Sequence, residues 1–265
     1  MKPGIAGMMA VVGVLVLLAD PSQLQAQRGR GGQAAGARGA RTAAPYDLTG
    51  YWVSVVSEDW KYHMVTPPKG EYGGVPISAE GRRVADAWDP VKDEASGLQC
   101  KAYGAAGIMR IPGRLHITWE NDNTLRVEAD AGTQTRLLQF GAPPAGEEST
   151  GDLAWQGRSV AQWETAGGRG TRFAESNLSE QGGFIKVVTT KMRPGYLRKN
   201  GVPYGANATM TEYFEGHLGP NGEWYLVVST VIEDPQYLSQ PYLTSANFKK
   251  LRDATGWSPT PCSAK

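Results

Sequence analysis

Three short segments in a row, 114–120 (RLHITWE), 123–130 (NTLRVEAD) and 133–140 (TQTRLLQF), alternate apolar and polar residues, with only NDN and AGT between them. A period of two puts successive side chains on opposite faces of a strand. Turns this short and this rich in Asn, Asp and Gly return the chain antiparallel. Residues 114–140 therefore read as a meander with one face to bury, which must curl on itself or stack on a second sheet.

The same signal continues along the chain. Strands are predicted at 50–57 with a continuation through 65, and at 155–164, 183–192, 207–215 and 223–233. One stretch reads as helix: in ISAEGRRVADAWDP, Ser78 can cap the first turn, Val84, Ala85 and Trp88 form an apolar stripe, and Asp89-Pro90 ends it. Gly81 weakens that helix without forbidding it. Eight or nine antiparallel strands with one short helix predict a mainly β fold, a barrel or sandwich and not a layered α/β protein. Four Pro/Gly-rich or polar loops interrupt the rhythm at 66–76, 140–152, 166–183 and 193–207. The last combines Arg193, Arg198 and Lys199 with Tyr196 and Tyr204, which suits either a binding rim or a solvated basic loop.

The first 26 residues read as a signal peptide. Lys2 precedes an apolar run from Ile5 to Ala19, the polar stretch DPSQLQAQ follows, and cleavage after Ala26 fits. The run is short for a membrane anchor, so no integral membrane segment is expected after cleavage, and the location is periplasmic or secreted. Residues 27–45 are Gly, Ala and Arg with little to bury, and read as a disordered leader. An Arg-Gly tract can touch nucleic acid, but the formal net charge is only +1, so no nucleic-acid partner is expected. Residues 46–265 suit one domain. The only two cysteines, Cys100 and Cys262, are expected to form a disulfide in an oxidising compartment, tying the C-terminal tail to the body.

Chemistry is harder to read. If 50–65 is one strand, the face holding Trp52, Val56, Trp60 and Met64 also holds Glu58. Glu212 sits likewise between Met210 and Phe214 in TMTEYFE. A carboxylate facing a core needs a partner, a neutral form or a wet cavity. Glu58 and Glu212 are thus candidate polar anchors of a pocket, with Trp52, Trp60 and Trp119 as its wall. The plainer alternatives are a bulge turning Glu58 outward, or an ion pair with Arg114, Arg126 or Arg136. His116 falls on the solvent face of its strand, no His or Cys spacing suggests a metal site, and no cofactor is implied. In EDPQYLSQPY, Glu233, Asp234 and the prolines read as a strand terminator, with a pocket-mouth role for Glu233, Asp234 or Tyr237 as the alternative.

The pieces LTGYWVSVVSEDW, ISAEGRRVADAWDP, CKAYGAAGIMRIPGRLHITWE, WQGRSVAQWE, TMTEYFE and VVSTVIEDPQYLSQPY, with the near-terminal cysteine, resemble a family of uncharacterised secreted proteins of soil and environmental bacteria. The resemblance covers about residues 46–262 and implies secretion and a single domain, with no catalytic assignment. Gly50-Tyr51-Trp52 is similar to the Gly-x-Trp start of lipocalins and related calycins, which implies a barrel that binds small hydrophobic molecules inside.

Three functions follow as expectations. The leading one is a calycin-like barrel with a small apolar or aromatic ligand in its interior. The second is an isomerase, cyclase or hydrolase on the same scaffold, with Glu58 or Glu212 as general base. The third is a non-enzymatic envelope or interaction protein. Both glutamates in one enclosed pocket favour the first two; arginine pairs in a dry core favour the third.

Overall fold

An odd number of strands cannot alternate direction all the way round a closed ring, and this chain closes nine. A computed structural model describes residues 39–57, 59–141, 152–164 and 183–265, and Gly39–Lys265 forms one compact unit. The barrel strands are β1 (Gly50–Val55), β2 (Arg114–Asn121), β3 (Thr124–Ala129), β4 (Gln134–Phe140), β5 (Arg158–Glu164), β6 (Phe184–Thr190), β9 (Thr209–Leu218), β10 (Trp224–Glu233) and β11 (Tyr242–Lys250). Their order round the ring is β1-β11-β10-β9-β6-β5-β4-β3-β2. Eight neighbouring pairs are antiparallel, and the ninth, β4 with β5, is parallel over Leu138–Phe140 and Ser159–Ala161. The barrel is therefore mixed but largely antiparallel, of generally calycin-like shape, where the sequence predicts a mainly antiparallel one.

Alternation sets what faces inward. On β2, β3 and β4 the buried positions are Leu115 and Ile117, Leu125 and Val127, and Arg136 and Leu138. Trp52, Ile185, Val187, Phe214, Leu226, Val228 and Phe248 join them in one continuous core. Large side chains fill the interior at close to zero exposure, so the lumen is a packed core, as in other small barrels. The expected ligand chamber inside the barrel is absent among the described residues.

A second core lies at the end where β9 begins and β10 finishes. Met210, Ile232 and Tyr242 pack there against Tyr72, Ala85, Ala105, Leu197, Val202 and Tyr204. The covering cap contains the helices Ala79–Asp86, Pro90–Ala95 and Ala105–Ile108, a 3₁₀ turn at Gln99–Tyr103, and the hairpin β7 (Gly195–Arg198) and β8 (Val202–Tyr204). The cap is thus richer in helix than the single helix predicted. Ser78 does cap the first helix, accepting from Gly81 N at 3.0 Å. Gly81 is needed because a Cβ there would run into the Tyr237 carbonyl, so its helix penalty is the cost of close approach. Asp89 ends one helix and caps the next, accepting from the amides of Val91 at 3.0 Å and Lys92 at 3.2 Å; Pro90 at the first position suits a helix start as well as a stop.

The opposite end is closed by Tyr46, Trp163, Trp224, Phe140 and Trp119 in edge, tilted and stacked contacts. Ala40, within the stretch read as leader, is buried there, and its carbonyl accepts from Trp163 Nε1 at 2.9 Å. Most predicted strands are present, but 59–65 is not one. The chain leaves β1, adopts a left-handed conformation at Asp59 (φ 47°) and forms the short helix Trp60–Met64. β11 went unpredicted.

Cys100 and Cys262 form a disulfide with a Cα–Cα distance of 5.1 Å and a sequence separation of 162. It joins the 3₁₀ turn of the cap to the tail, where Thr260 N also donates to Asp130 O at 2.9 Å. In the chain-entropy treatment a loop of this size contributes about 5 kcal/mol, less where the unfolded chain keeps structure. Replacing both cysteines by serine is expected to lower stability by about 2–5 kcal/mol, measured as the shift in urea midpoint against the oxidised protein.

Candidate functional site

Of the five residues expected to form one pocket, the four that are described, Trp52, Trp60, Trp119 and Glu212, do not share one. Trp52 is fully buried inside the barrel, its Nε1 donating to Leu48 O at 2.9 Å. Trp119 lies at the aromatic end, its ring 5.6 Å from that of Phe140. Trp60 is 66% exposed on the short helix. Glu58 lies outside the described residues; the strand continuation that would have turned it inward is replaced by the Trp60–Met64 helix.

Glu212 does face inward and is fully buried, but it is already answered. Arg136 reaches across the barrel and donates to both carboxylate oxygens, Nη1 to Oε1 at 3.1 Å and Nη2 to Oε2 at 2.6 Å. Nη2 also lies 3.4 Å from Thr189 Oγ1, which shares a 2.8 Å hydrogen bond with Ser159. This two-pronged pair in a dry core is a structural element. A carboxylate so held has no lone pair aimed at a substrate, and the general-base role drawn for it has no geometric support.

His116 sits outside the barrel, stacked on Tyr51 with centroids 4.2 Å apart and its Nδ1 3.0 Å from Glu128 Oε2. The Glu128 carboxyl is held below its ordinary range, first by Arg126 and then by His116. Asp234 closes the turn after β10. Its carboxylate accepts from Gly205 N at 2.6 Å, Gln236 N at 2.9 Å and Tyr237 N at 3.3 Å. It is the strand terminator that the sequence suggests. Among the described residues no cluster of three or more His, Cys, Asp or Glu could hold a metal ion.

A cleft of about 260 Å³ opens outside the barrel, between the Trp60–Met64 helix with the segment after it and the cap. Ala102, Gly107, Ile111, Pro112 and Leu197 form its apolar floor; Tyr62 to Pro67 form one wall; Arg110, Arg198 and Lys199 supply charge. β7 places Leu197 and Arg198, while the hairpin turn places Lys199. Arg198 is 4% exposed. Its Nη1 donates to Gly73 O at 2.7 Å, its Nη2 reaches Tyr242 Oη at 3.5 Å, and its guanidinium carbon lies 4.3 Å from the Tyr62 ring centroid. Arg110, 8% exposed, has Asp59 Oδ2 at 3.7 Å.

Supporting groups fix the hairpin. Tyr196 Oη donates to Asp93 Oδ2 at 2.7 Å, and Lys101 Nζ donates to Asp93 Oδ1 at 2.7 Å. Burial, then the Asp93 carboxylate, pushes the Tyr196 phenol well above its usual range; burial alone does the same for Tyr204. Both stay protonated at neutral pH. Asn200, fully buried, donates to the carbonyls of Pro68 at 3.3 Å and Glu71 at 2.9 Å, tying the hairpin turn to the cleft wall.

Comparison with protein-family models, with curated proteins and with solved structures finds no match. Among the described residues no helix is long and apolar enough to cross a membrane.

The Arg136–Glu212 pair has a sharp consequence. Glu212→Gln is expected to cost about 3–5 kcal/mol, because it strands a buried guanidinium. Arg136→Met combined with Glu212→Leu is expected to recover most of that loss. Urea unfolding of the three proteins measures both effects, and a wild-type midpoint for Glu212→Gln would contradict the structural role.

Proposed function

We propose that this chain is an exported binding protein whose barrel is a rigid scaffold, and that a small, largely apolar or aromatic molecule binds in the cleft beside the cap. The observation that carries this reading is the cleft itself. It has an apolar floor, an aromatic wall at Tyr62 and a few fixed polar groups, the usual makeup of a ligand site at the small end of the size range. The helical part of the wall is lightly packed. The helix Trp60–Met64 buries no residue and has no side-chain cap, so it can shift to admit a ligand at little cost in packing. Export is supported by the apolar run at 5–19 and by a disulfide that suits an oxidising compartment.

The same segment favours a second reading. Trp60, Met64 and Val65 are 66%, 58% and 61% exposed, and neighbouring apolar side chains left in water suit contact with a protein partner. With Glu212 paired to Arg136 in the interior, the interaction reading gains on an enzymatic one that uses Glu212 as base.

Native mass spectrometry of the protein purified from its own host separates these readings. A retained small-molecule mass is expected for the wild type, and its loss for Thr66→Trp, which fills the cleft from a half-buried rim position. A mass that persists in Thr66→Trp, or no retained mass at all, would count against the cleft. Trp60→Ala with unchanged small-molecule retention but weakened co-purification of a protein would favour the second reading.

A further inference from the structure

Arg136 in the barrel and Arg198 beside the cleft are both buried, and only Arg136 faces a carboxylate. A guanidinium keeps its charge at any ordinary pH, so burial demands an anion or a costly substitute. Inside the barrel the demand is met: Arg136, with a side chain 2% exposed, faces Glu212 at 2.6 Å. Arg198 is buried almost as deeply, at 4%, yet its partners are the Gly73 carbonyl, the Tyr242 hydroxyl and the Tyr62 ring. None of these carries a negative charge. Among the described residues no carboxylate lies within ion-pair distance of Arg198, and its Nε, like that of Arg136, has no hydrogen-bond partner.

The surroundings deepen the imbalance. Lys199, next along the hairpin, has its Nζ 5.6 Å from the Tyr103 ring centroid and no acid in ion-pair distance among the described residues. A concave site that holds an unneutralised cation among apolar side chains concentrates the opposite charge.

We infer that the cleft recognises an organic anion, a molecule with a carboxylate or similar oxyanion on an apolar or aromatic body, with Arg198 as its anchor and Lys199 as a second cation. The inference rests on the reading of the cleft as a small-molecule site. The planar fork of a guanidinium matches two oxygens of such a group. The floor of Ile111, Pro112 and Leu197 takes the apolar body, and Tyr62, already stacked on Arg198, holds the fork in place.

Two dyes with the same aromatic framework test the charge separately from the cleft: 8-anilino-1-naphthalenesulfonate, and N-phenyl-1-naphthylamine, which lacks the sulfonate. Fluorescence titration of the full disulfide-bonded protein is expected to show the sulfonate binding about ten- to a hundred-fold tighter, the usual range for a charge-assisted hydrogen bond. Arg198→Gln is expected to reduce that ratio about ten-fold, Arg198→Lys to reduce it less, and Lys199→Gln several-fold. Near-UV circular dichroism checks the fold of each variant. If Arg198→Gln does not fold, Lys199→Gln, at a half-buried turn position, decides. Equal binding of the two dyes, or a ratio unmoved in the folded variants, would overturn the anion inference and leave the cleft standing. Failure of both dyes to bind would overturn both.

Discussion

A buried guanidinium that cannot give up its charge is the constraint on which this structure turns. In the barrel, Arg136 spans the lumen to Glu212, and the pair ties β4 to β9 across the interior. The rest of the lumen can then be closed with Trp52, Phe214, Phe248 and branched aliphatics, leaving it packed. In the cap, Arg198 is held with neutral partners only, beside an open cleft. The same chemical requirement thus gives a structural element in one place and a candidate recognition element in the other.

The cap is built on the connections from β1 to β2 and from β6 to β9, each between antiparallel neighbours. Nine strands need one parallel neighbour pair to close, and a parallel pair needs a connection running from one end of the barrel to the other. β4 and β5 meet over three residue pairs. The chain from β6 to β9 makes a detour at one end as the β7–β8 hairpin, which packs on the helices and on Met210, Ile232 and Tyr242. That detour supplies Leu197, Arg198 and Lys199 to the cleft. The disulfide fastens the tail to the same region.

Much of the fold was legible. The meander at 114–140, Ser78 as a cap and the cysteine pair each follow from local rules: alternation, a hydroxyl before an apolar stripe, and an oxidising compartment. β11 was missed because LTSANFKK has weak alternation and draws its place from β1 and β10 on either side. The stretch after Val55 was misread because its aromatic parity suits a strand, while the left-handed turn at Asp59 and the helix behind it leave Trp60 in water. Of the cleft, only the basic loop with Arg198, Lys199 and the tyrosines was visible beforehand. Arg110, Ile111 and Pro112 gave no signal of their own.

The sequence by itself determined the strand-rich class, the inward face of each strand of the meander and the presence of an acid on the inward face of TMTEYFE, because side-chain facing in a strand is a matter of counting by two. Whether that acid met water, a ligand or an arginine was decided by closure of the ring, which brings β4 and β9 to within three strand positions of each other around one lumen although Arg136 and Glu212 stand 76 residues apart. Tertiary structure also decided that the lumen is full and that a cleft opens beside Tyr62. Volume and charge balance belong to surfaces assembled from distant segments, and no local pattern records them.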